Sequence, residues 1–436
     1  MLPPKSYPTI TSIHTNIKFP NSVVIKDLTP HLFLTGDNGT GKTALINAIE
    51  LALVGHARDL GGRDKVRAAS ILSQLMPPGE TRLFSYLTLS DGTEASWVME
   101  QGSRPNHQPC PHKVTLLMPE ILGAFAGSKL VMARFIIKYF SSTTYMDADD
   151  SPHSPAEYLL LEEQARKTVS SWKQEVRVLK SALGTYGANS SEAATYTQKR
   201  AQLDAMFRLL SLQVEGDFCK CALCGTSSTG DVYRERLTRV EEALGALGKA
   251  TVPDQVVLLE RTLEDGMGHL KLADARLSHI QKTILEQASK LARESVLPLL
   301  TNELGRPIGL LETPSTLSFG FVETDPNTNN TSVHPLLSGA ELALLVAVMA
   351  QVMIEQPGPY SPLELPLLIT PDRGLDVKTL KTMLLKFREI PATTIIQSPT
   401  QPRGRPTAGW TRVILHPDYI EVNRDGVQDQ VQKCVG

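Results

Sequence analysis

The chain has 436 residues, of which 41% are hydrophobic and 21% are charged. This composition supplies enough apolar material for a sizeable core and too much for a disordered chain. The 44 basic and 46 acidic residues give a net charge of −2, which excludes a globally basic nucleic-acid coat but not a local basic patch. The length predicts roughly two to three domains, or one domain with a large insertion.

The apolar segments and the cysteines indicate the compartment. The N-terminus has no apolar core of signal-peptide length, and the conspicuous uncharged run from Leu342 to Ile354 is too short to span a bilayer. That run is therefore predicted to be a buried helix. Five cysteines do not make a disulfide framework in a chain of this length. We expect a cytoplasmic protein with no membrane-spanning segment.

Residues 1–150 are predicted to be an N-terminal α/β lobe. Strand-like segments of this lobe are Thr9 to Ile17, Val23 to Leu28, His31 to Leu34, Leu83 to Leu89 and Glu94 to Glu100. The last two segments flank Ser90-Asp91-Gly92, and Asp-Gly between two strand-like runs predicts a hairpin. An apolar helix is predicted from Ala44 to Leu53.

Residues 151–300 are predicted to be a helical arm. Ser154 to Glu157 has the pattern of a capping box with proline at the first helical position. Apolar residues then recur at steps of three and four from Val169 to Leu183, and at steps of seven from Val256 to Leu291. Each stripe alone also fits an ordinary amphipathic core helix. An antiparallel helical hairpin explains the outgoing and returning segments together.

Residues 301–436 return to an α/β pattern. Predicted strands are Ile308 to Glu312, Leu317 to Val322, Leu365 to Thr370 and Thr393 to Ile396, and predicted helices are Ser338 to Glu355 and Asp376 to Phe387. Two α/β halves separated by a helical hairpin indicate one split domain with an inserted arm.

A phosphate-binding loop is predicted between the strand at His31 and the helix at Ala44. Residues 36–43 fit the pattern GxxxxGK[ST] completely, in the strand–loop–helix context that the motif requires. The glycines let backbone N–H groups surround a phosphate, and the helix N-terminus adds positive charge. Lys42 is expected to pair with the β- and γ-phosphates of ATP, and the Thr43 hydroxyl to ligate Mg²⁺. The loop positions assigned to the nucleotide are Gly36, Asn38, Gly39, Gly41, Lys42 and Thr43.

The order of these features resembles the SMC-type ABC ATPases, most of all the branch that holds the zinc-hook ATPase of double-strand-break repair and its bacterial SbcC relatives. The resemblance is carried by the phosphate loop and by three further segments: Leu337-Ser338-Gly339-Ala340-Glu341, Leu375-Asp376, and Cys221-Ala222-Leu223-Cys224 in the arm. It implies an α/β fold, an ABC-type P-loop ATPase head formed from both ends of the chain with an inserted antiparallel coiled-coil arm.

The resemblance also implies roles for the C-terminal segments. Ser338 and Gly339 would contact the γ-phosphate of an ATP bound on a second subunit, and Asp376 would contribute to nucleotide binding. The alternative for Ser338 is that it caps the apolar helix that follows it. The two readings are compatible, because an exposed helix N-terminus is also an anion site.

Three departures from the family pattern concern hydrolysis. The family strand ends in an Asp-Glu pair, but counting back from Asp376 places Ile369 and Thr370 in those slots. Asp372 reaches the site only if the strand register shifts. Glu120 stands where the family has a glutamine, and it is the other candidate metal ligand or base. The switch histidine is absent from 395–399. ATP binding is therefore expected more firmly than ATP turnover.

The cysteines in the arm form a candidate metal site. Cys221 and Cys224 have the CxxC spacing that lets two thiolates meet one tetrahedral Zn²⁺ ion, and Cys219 is an extra candidate ligand. The family resemblance implies that a second molecule supplies the remaining two ligands. The alternative is three reduced thiols on a loop.

The leading hypothesis is an ATP-binding, SMC-like DNA repair or recombination protein. It would form a homodimer through its ATP-bound heads and through zinc, clamp or tether DNA without sequence preference, and act with a separate nuclease subunit. The alternative is a nucleotide-gated scaffold or sensor, for example in anti-phage defence, with little or no hydrolysis. A P-loop kinase explains neither the helical arm nor the CxxC segment.

Overall fold

The computed structural model describes residues 7–19, 22–57, 75–77, 79–147, 151–186, 238–239, 242, 252–324, 331–334, 339–370, 376–399, 408–424 and 427–432. The chain divides into two compact units. The first unit comprises residues 1–142 and 287–436, and the second comprises residues 143–286.

The bounds of the elements are as follows. The strands are β1 (Ile10–Thr15), β2 (Val23–Ile25), β3 (His31–Thr35), β4 (Arg82–Leu89), β5 (Glu94–Glu100), β6 (Asn106–Gln108), β7 (Val114–Leu116), β8 (Tyr145–Met146), β9 (Pro152–His153), β10 (Ile308–Glu312), β11 (Leu317–Thr324), β12 (Thr331–His334), β13 (Leu365–Ile369), β14 (Thr393–Ser398), β15 (Thr411–Leu415), β16 (Tyr419–Arg424) and β17 (Val427–Gln432). The helices are α1 (Lys42–Val54), α2 (Leu117–Ala126), α3 (Lys129–Phe140), α4 (Pro155–Tyr186), α5 (Val252–Leu291), a π-helical segment (Ala292–Val296), α6 (Leu297–Leu304), α7 (Gly339–Glu355) and α8 (Val377–Phe387).

A seven-stranded sheet combines the two ends of the chain. Its order is β17-β16-β15-β3-β14-β13-β7, in which β15, β3, β14, β13 and β7 pair in parallel and β16 and β17 add antiparallel strands at one edge. Every residue of β3, β13 and β14 is buried, as expected for parallel strands covered on both faces. The prediction of a head built from both ends of the chain is confirmed.

A five-stranded antiparallel sheet of order β2-β1-β4-β5-β6 lies beside it. The hairpin predicted at Asp91-Gly92 is present, since β4 and β5 pair in register from Arg82 with Glu100 to Thr88 with Glu94. One core cluster joins apolar residues of both sheets to α1, which is buried from Ala44 to Leu53.

The remaining elements of this unit include a three-stranded sheet of order β10-β11-β12 and helix α7. The apolar run predicted to be a buried helix lies in α7, where all residues from 345 to 354 are buried. In the described part of the chain, no helix combines the length and the apolar character needed to cross a membrane.

The second unit contains most of the predicted arm. The capping box is present, since the backbone N–H of Ser154 donates to the Glu157 carboxylate at 2.8 Å and the Glu157 N–H donates to the Ser154 hydroxyl at 3.4 Å. Helices α4 and α5 pair antiparallel, because later positions of α4 meet earlier positions of α5. The paired side chains are Glu162 with Gln281, and Trp172 with His269.

On α4 the buried stripe follows the predicted spacing, with Val169 and Val176 buried. On α5 the predicted residue Ile284 is buried, but Leu263, Leu270 and Leu277 are only partly buried, and the buried stripe also includes Leu259 and Ile280. The inserted antiparallel arm is therefore confirmed for these segments. Most of residues 187–251 of the predicted arm lie outside the described residues, and so do Cys219, Cys221 and Cys224.

Candidate nucleotide-binding site

The carboxyl ends of the parallel strands bring the predicted site residues to one edge of the sheet. The loop of residues 36–41 follows β3, Thr370 follows β13, and β14 ends at Ser398. Strand β7 runs directly into α2, which carries Glu120 in its first turn. In open α/β sheets, ligands bind in the crevice at this edge.

The glycines of the loop are required by its geometry. Gly36 has φ +144° and Gly41 has φ +111°, backbone conformations that other residues rarely adopt. A Cβ at Gly36 would lie 2.3 Å from the carbonyl oxygen of Leu415, and one at Gly41 would lie 3.0 Å from the ring of Phe19. Both positions therefore admit only glycine without rearrangement.

The N-terminus of α1 is open to an anion. Gly41 is the N-cap residue, so no side chain caps the helix, and the first turn contains no acidic residue. The N–H groups at the start of an α-helix have no intrahelical partner, and the helix dipole places partial positive charge there. The N-terminus of α1 is therefore suited to bind a phosphate group.

Lys42 and Thr43 differ in exposure. The Lys42 ammonium donates to the carbonyl oxygen of Gly36 at 2.6 Å and to that of Asp37 at 3.1 Å, so the side chain folds across the loop and is 4% exposed. Thr43 is exposed at the first turn. The donor set of N–H groups, ammonium and hydroxyl fits a polyphosphate with Mg²⁺, which would supply charge neutralisation when bound.

The ends of β13 and β14, at the same edge of the sheet, carry neutral groups. Ile369 and Thr370 are each 3% exposed, and Ile369 packs in the core cluster that includes Leu34 and Leu45. The Thr370 N–H donates to the carbonyl oxygen of Ile395 at 2.9 Å, which ties the end of β13 to β14. Asp372, predicted as a catalytic carboxylate, lies outside the described residues.

Glu120 is held by two side chains of α3. Its carboxylate accepts from the ammonium of Lys138 and, at 2.9 Å, from the hydroxyl of Tyr139. Burial, together with the charge of Glu120, raises the pKa of Tyr139, so the phenol stays a donor. Sequence reasoning assigned no helix at α3 and therefore missed both partners. The role of Glu120 in hydrolysis remains a prediction.

Asp376 is the N-cap of α8. Its carboxylate accepts from the backbone N–H groups of Lys378 at 3.0 Å and Thr379 at 2.9 Å, and the hydrogen bond from the Thr379 side chain is the largest cause that lowers its pKa. Its contribution to a nucleotide site remains a prediction. Gly339 begins α7, and Ser338 lies outside the described residues.

The described residues contain no group of three or more His, Cys, Asp or Glu side chains that fits a metal ion. The cysteines predicted to bind zinc fall outside this part of the chain, so the zinc prediction stays a prediction. Cys110 is a buried free thiol whose pKa is raised by burial.

The strand, glycine loop and helix at Lys42 lie in a sheet built from both ends of the chain, which also carries an antiparallel helical arm, so the chain has an α/β P-loop fold with an inserted arm. The predicted fold class is confirmed. The model of the AAA domain family matches residues 12–96, which include the phosphate loop.

Solved structures give weak matches over nearly the full length. An Smc head domain with coiled coil and joint from Pyrococcus yayanosii is 16% identical, with 98% of this chain and 97% of that chain covered and a TM-score of 0.41. The recombination mediator RecF with ATP is 11% identical, with coverages of 99% and 100% and a TM-score of 0.40. The SMC head domain from Thermotoga maritima is 10% identical, with coverages of 98% and 100% and a TM-score of 0.34. No curated protein matches the chain. Similarity at this level assigns no function.

Proposed function

We propose that this protein is an ATP-binding, SMC-like head-and-arm protein. The observation that carries the proposal is the phosphate loop: glycine conformations that only this residue type tolerates, an uncapped helix N-terminus, and an ammonium folded over two loop carbonyl groups. The Lys42 ammonium can turn from the loop carbonyl groups to the β- and γ-phosphates without moving the helix, because the Lys42 side chain is long and flexible.

The finer parts of the proposal rest on the sequence resemblance. They are a cytoplasmic homodimer closed by ATP-bound heads through Ser338 and Gly339, a second contact through Zn²⁺ at Cys221 and Cys224, sequence-independent DNA tethering in repair or recombination, and a nuclease partner.

For DNA, the arm supplies lysines, but Lys167 and Lys173 are paired with Glu163 at 2.8 Å and Asp274 at 3.5 Å. Phosphates must compete with these carboxylates, so any DNA contact should be weak and sensitive to salt.

A second candidate function follows from the residues at the end of β13. Ile369 and Thr370 are buried and neutral where the resemblance requires carboxylates. A head of this kind binds ATP and holds it for long periods, which suits a nucleotide-locked scaffold or sensor. The two candidates share ATP binding and differ in turnover and in DNA binding.

Equilibrium dialysis with ATP and Mg²⁺ tests the shared step. We expect Lys42→Met to lower ATP affinity by about 10- to 100-fold, because one charge-assisted contact to phosphate is worth about 1.5–3 kcal/mol. Lys386→Met is the matched control, since the Lys386 ammonium also donates to a backbone carbonyl oxygen, that of Glu303.

Equal affinity of Lys42→Met and the unaltered protein would refute the proposed site. ATP-dependent dimerisation by light scattering and duplex-DNA binding at two salt concentrations then separate the DNA clamp from the scaffold. Dimerisation without DNA binding favours the scaffold.

A further inference from the structure

A buried carboxamide lies at the edge of the sheet beside the phosphate loop. Gln397 is the second-last residue of β14 and pairs in register with Leu34, two residues before Gly36. Ile395, two positions earlier, packs in the same core cluster as Leu45 of α1. Because side chains alternate along a strand, Gln397 continues this row on the face that α1 covers.

The hydrogen bonds of Gln397 fix the orientation of its amide. The side-chain nitrogen donates to the backbone carbonyl oxygen of Thr370 at 3.0 Å, and the Gln397 backbone N–H donates to the Thr370 hydroxyl at 3.2 Å. A carbonyl oxygen only accepts, so the amide nitrogen must face Thr370 and the amide oxygen must face elsewhere. Gln397 is thus clamped to the residue that follows β13.

The amide oxygen Oε1 of Gln397 is left without a partner. Gln397 is 6% exposed, and among the described residues no group donates a hydrogen bond to Oε1. A buried acceptor is unfavourable when unpaired, and proteins keep such groups where water, an ion or a reacting molecule completes them. The position of Gln397 at the nucleotide edge favours a reacting molecule.

Oε1 of Gln397 is a hydrogen-bond acceptor, so at this edge it pairs only with a molecule that offers a donor. Phosphate oxygens are themselves acceptors and carry negative charge, so they would be repelled by Oε1. Water is a donor. We propose that Gln397 is a catalytic residue that orients the attacking water for ATP hydrolysis through Oε1, an inference that rests on the proposed ATP site at Lys42.

The step needs no carboxylate at Ile369 or Thr370. The water oxygen bonds to the γ-phosphorus while the bond to the β–γ bridging oxygen breaks, and the electron pair of that bond leaves with ADP. A proton of the water passes to a γ-phosphate oxygen, so the products are ADP and inorganic phosphate. Phosphoryl transfer depends mainly on positioning and charge stabilisation. The protein therefore hydrolyses ATP slowly.

Single-turnover hydrolysis by the full chain, with ATP affinity measured on the same samples, tests this role. We expect Gln397→Leu to lower phosphate release at least about ten-fold while ATP affinity changes less than about three-fold. Gln351→Leu is the matched control, because Gln351 on α7 is also buried and its Oε1 also has no partner among the described residues. It should leave the rate unchanged.

Each outcome decides the question. Wild-type phosphate release from Gln397→Leu overturns the role of Gln397. A parent protein that binds ATP but releases phosphate no faster than Lys42→Met overturns it as well, while ATP binding stands. A parent protein that binds no ATP refutes the proposed function and this inference together. Should Gln397→Leu not fold, Gln397→Asn withdraws the amide oxygen by one methylene, and an unchanged rate in that variant is equally contrary.

Discussion

Two sides of the carboxyl edge of the sheet, the phosphate loop and the ends of β13 and β14, are built from different kinds of residue. The phosphate-loop side concentrates positive charge, in Lys42 and the uncapped end of α1, on a backbone that only glycine permits. The side formed by β13 and β14 is buried and uncharged at Ile369, Thr370 and Gln397. Under the proposed roles, the charges that hold a phosphate lie on one side and the group that orients water lies on the other, so we expect binding and turnover to be separable by substitution.

The largest expected effect comes from putting a carboxylate into the neutral side. We expect Ile369→Asp to lower the free energy of unfolding by about 4 kcal/mol, because it removes a core side chain and buries an unpaired carboxyl group. Chemical denaturation measures this loss. Ile369→Val is the control, with an expected loss of about 1 kcal/mol.

This substitution also tests the register of β13, which places Ile369 in the core. If Ile369→Asp folds as well as the parent protein and accelerates Mg²⁺-dependent hydrolysis, the position faces the metal. A single substitution at Ile369 would then be enough to add charge to the side formed by β13 and β14.

Much of the phosphate-loop side was predictable because its determinants are local. Residues 36–43 fix their own turns, helix start and charge within eight positions, and the Asp91-Gly92 hairpin and the Ser154–Glu157 capping box are equally local. The strands β10 and β13 and helices α7 and α8 also follow from apolar runs and their caps.

The neutral side was less predictable because its chemistry is non-local. The contact of Gln397 with Thr370 joins residues 27 positions apart through the parallel pairing of β13 and β14. Sequence reasoning noted only that a histidine is missing there. It likewise assigned no element to α3, whose Lys138 and Tyr139 hold Glu120, because that contact depends on how two helices pack.

The next effect concerns the glycines of the phosphate-loop side. Gly36→Ala should lower the free energy of unfolding by about 3 kcal/mol, because it combines an unfavourable positive φ with a Cβ 2.3 Å from the carbonyl oxygen of Leu415. Gly39→Ala is the matched control. Gly39 also has positive φ, but no heavy atom lies within 4 Å of its added Cβ, so we expect about 1–2 kcal/mol.

Thermal and chemical unfolding of both glycine variants measure the difference. Equal losses would mean that the loop moves away from Leu415 at little cost, and that the phosphate-loop side is less rigid than its glycines indicate.

The smallest expected effect is on the stability of the fold. It comes from the end of β3 that lies away from the nucleotide edge. His31 begins β3, at the end away from the loop, where it is 6% exposed and its ring lies 5.2 Å from that of Trp410. Burial lowers the pKa of His31 to about 4, against about 6.5 in an unfolded chain. Protonation therefore favours the unfolded state. The stability contribution is complete above pH 6.5 and is lost as the pH falls towards 4.

This shift makes the protein lose about 2 kcal/mol of unfolding free energy from His31 between pH 8 and pH 5. His31→Phe keeps a ring against Trp410 and cannot take up a proton, so its stability should fall by about that much less over the same range. Denaturation curves at the two pH values measure the slope, with His279→Gln, at an exposed position, as the control. Identical slopes for His31→Phe and the parent protein would show that His31 does not titrate as its burial requires.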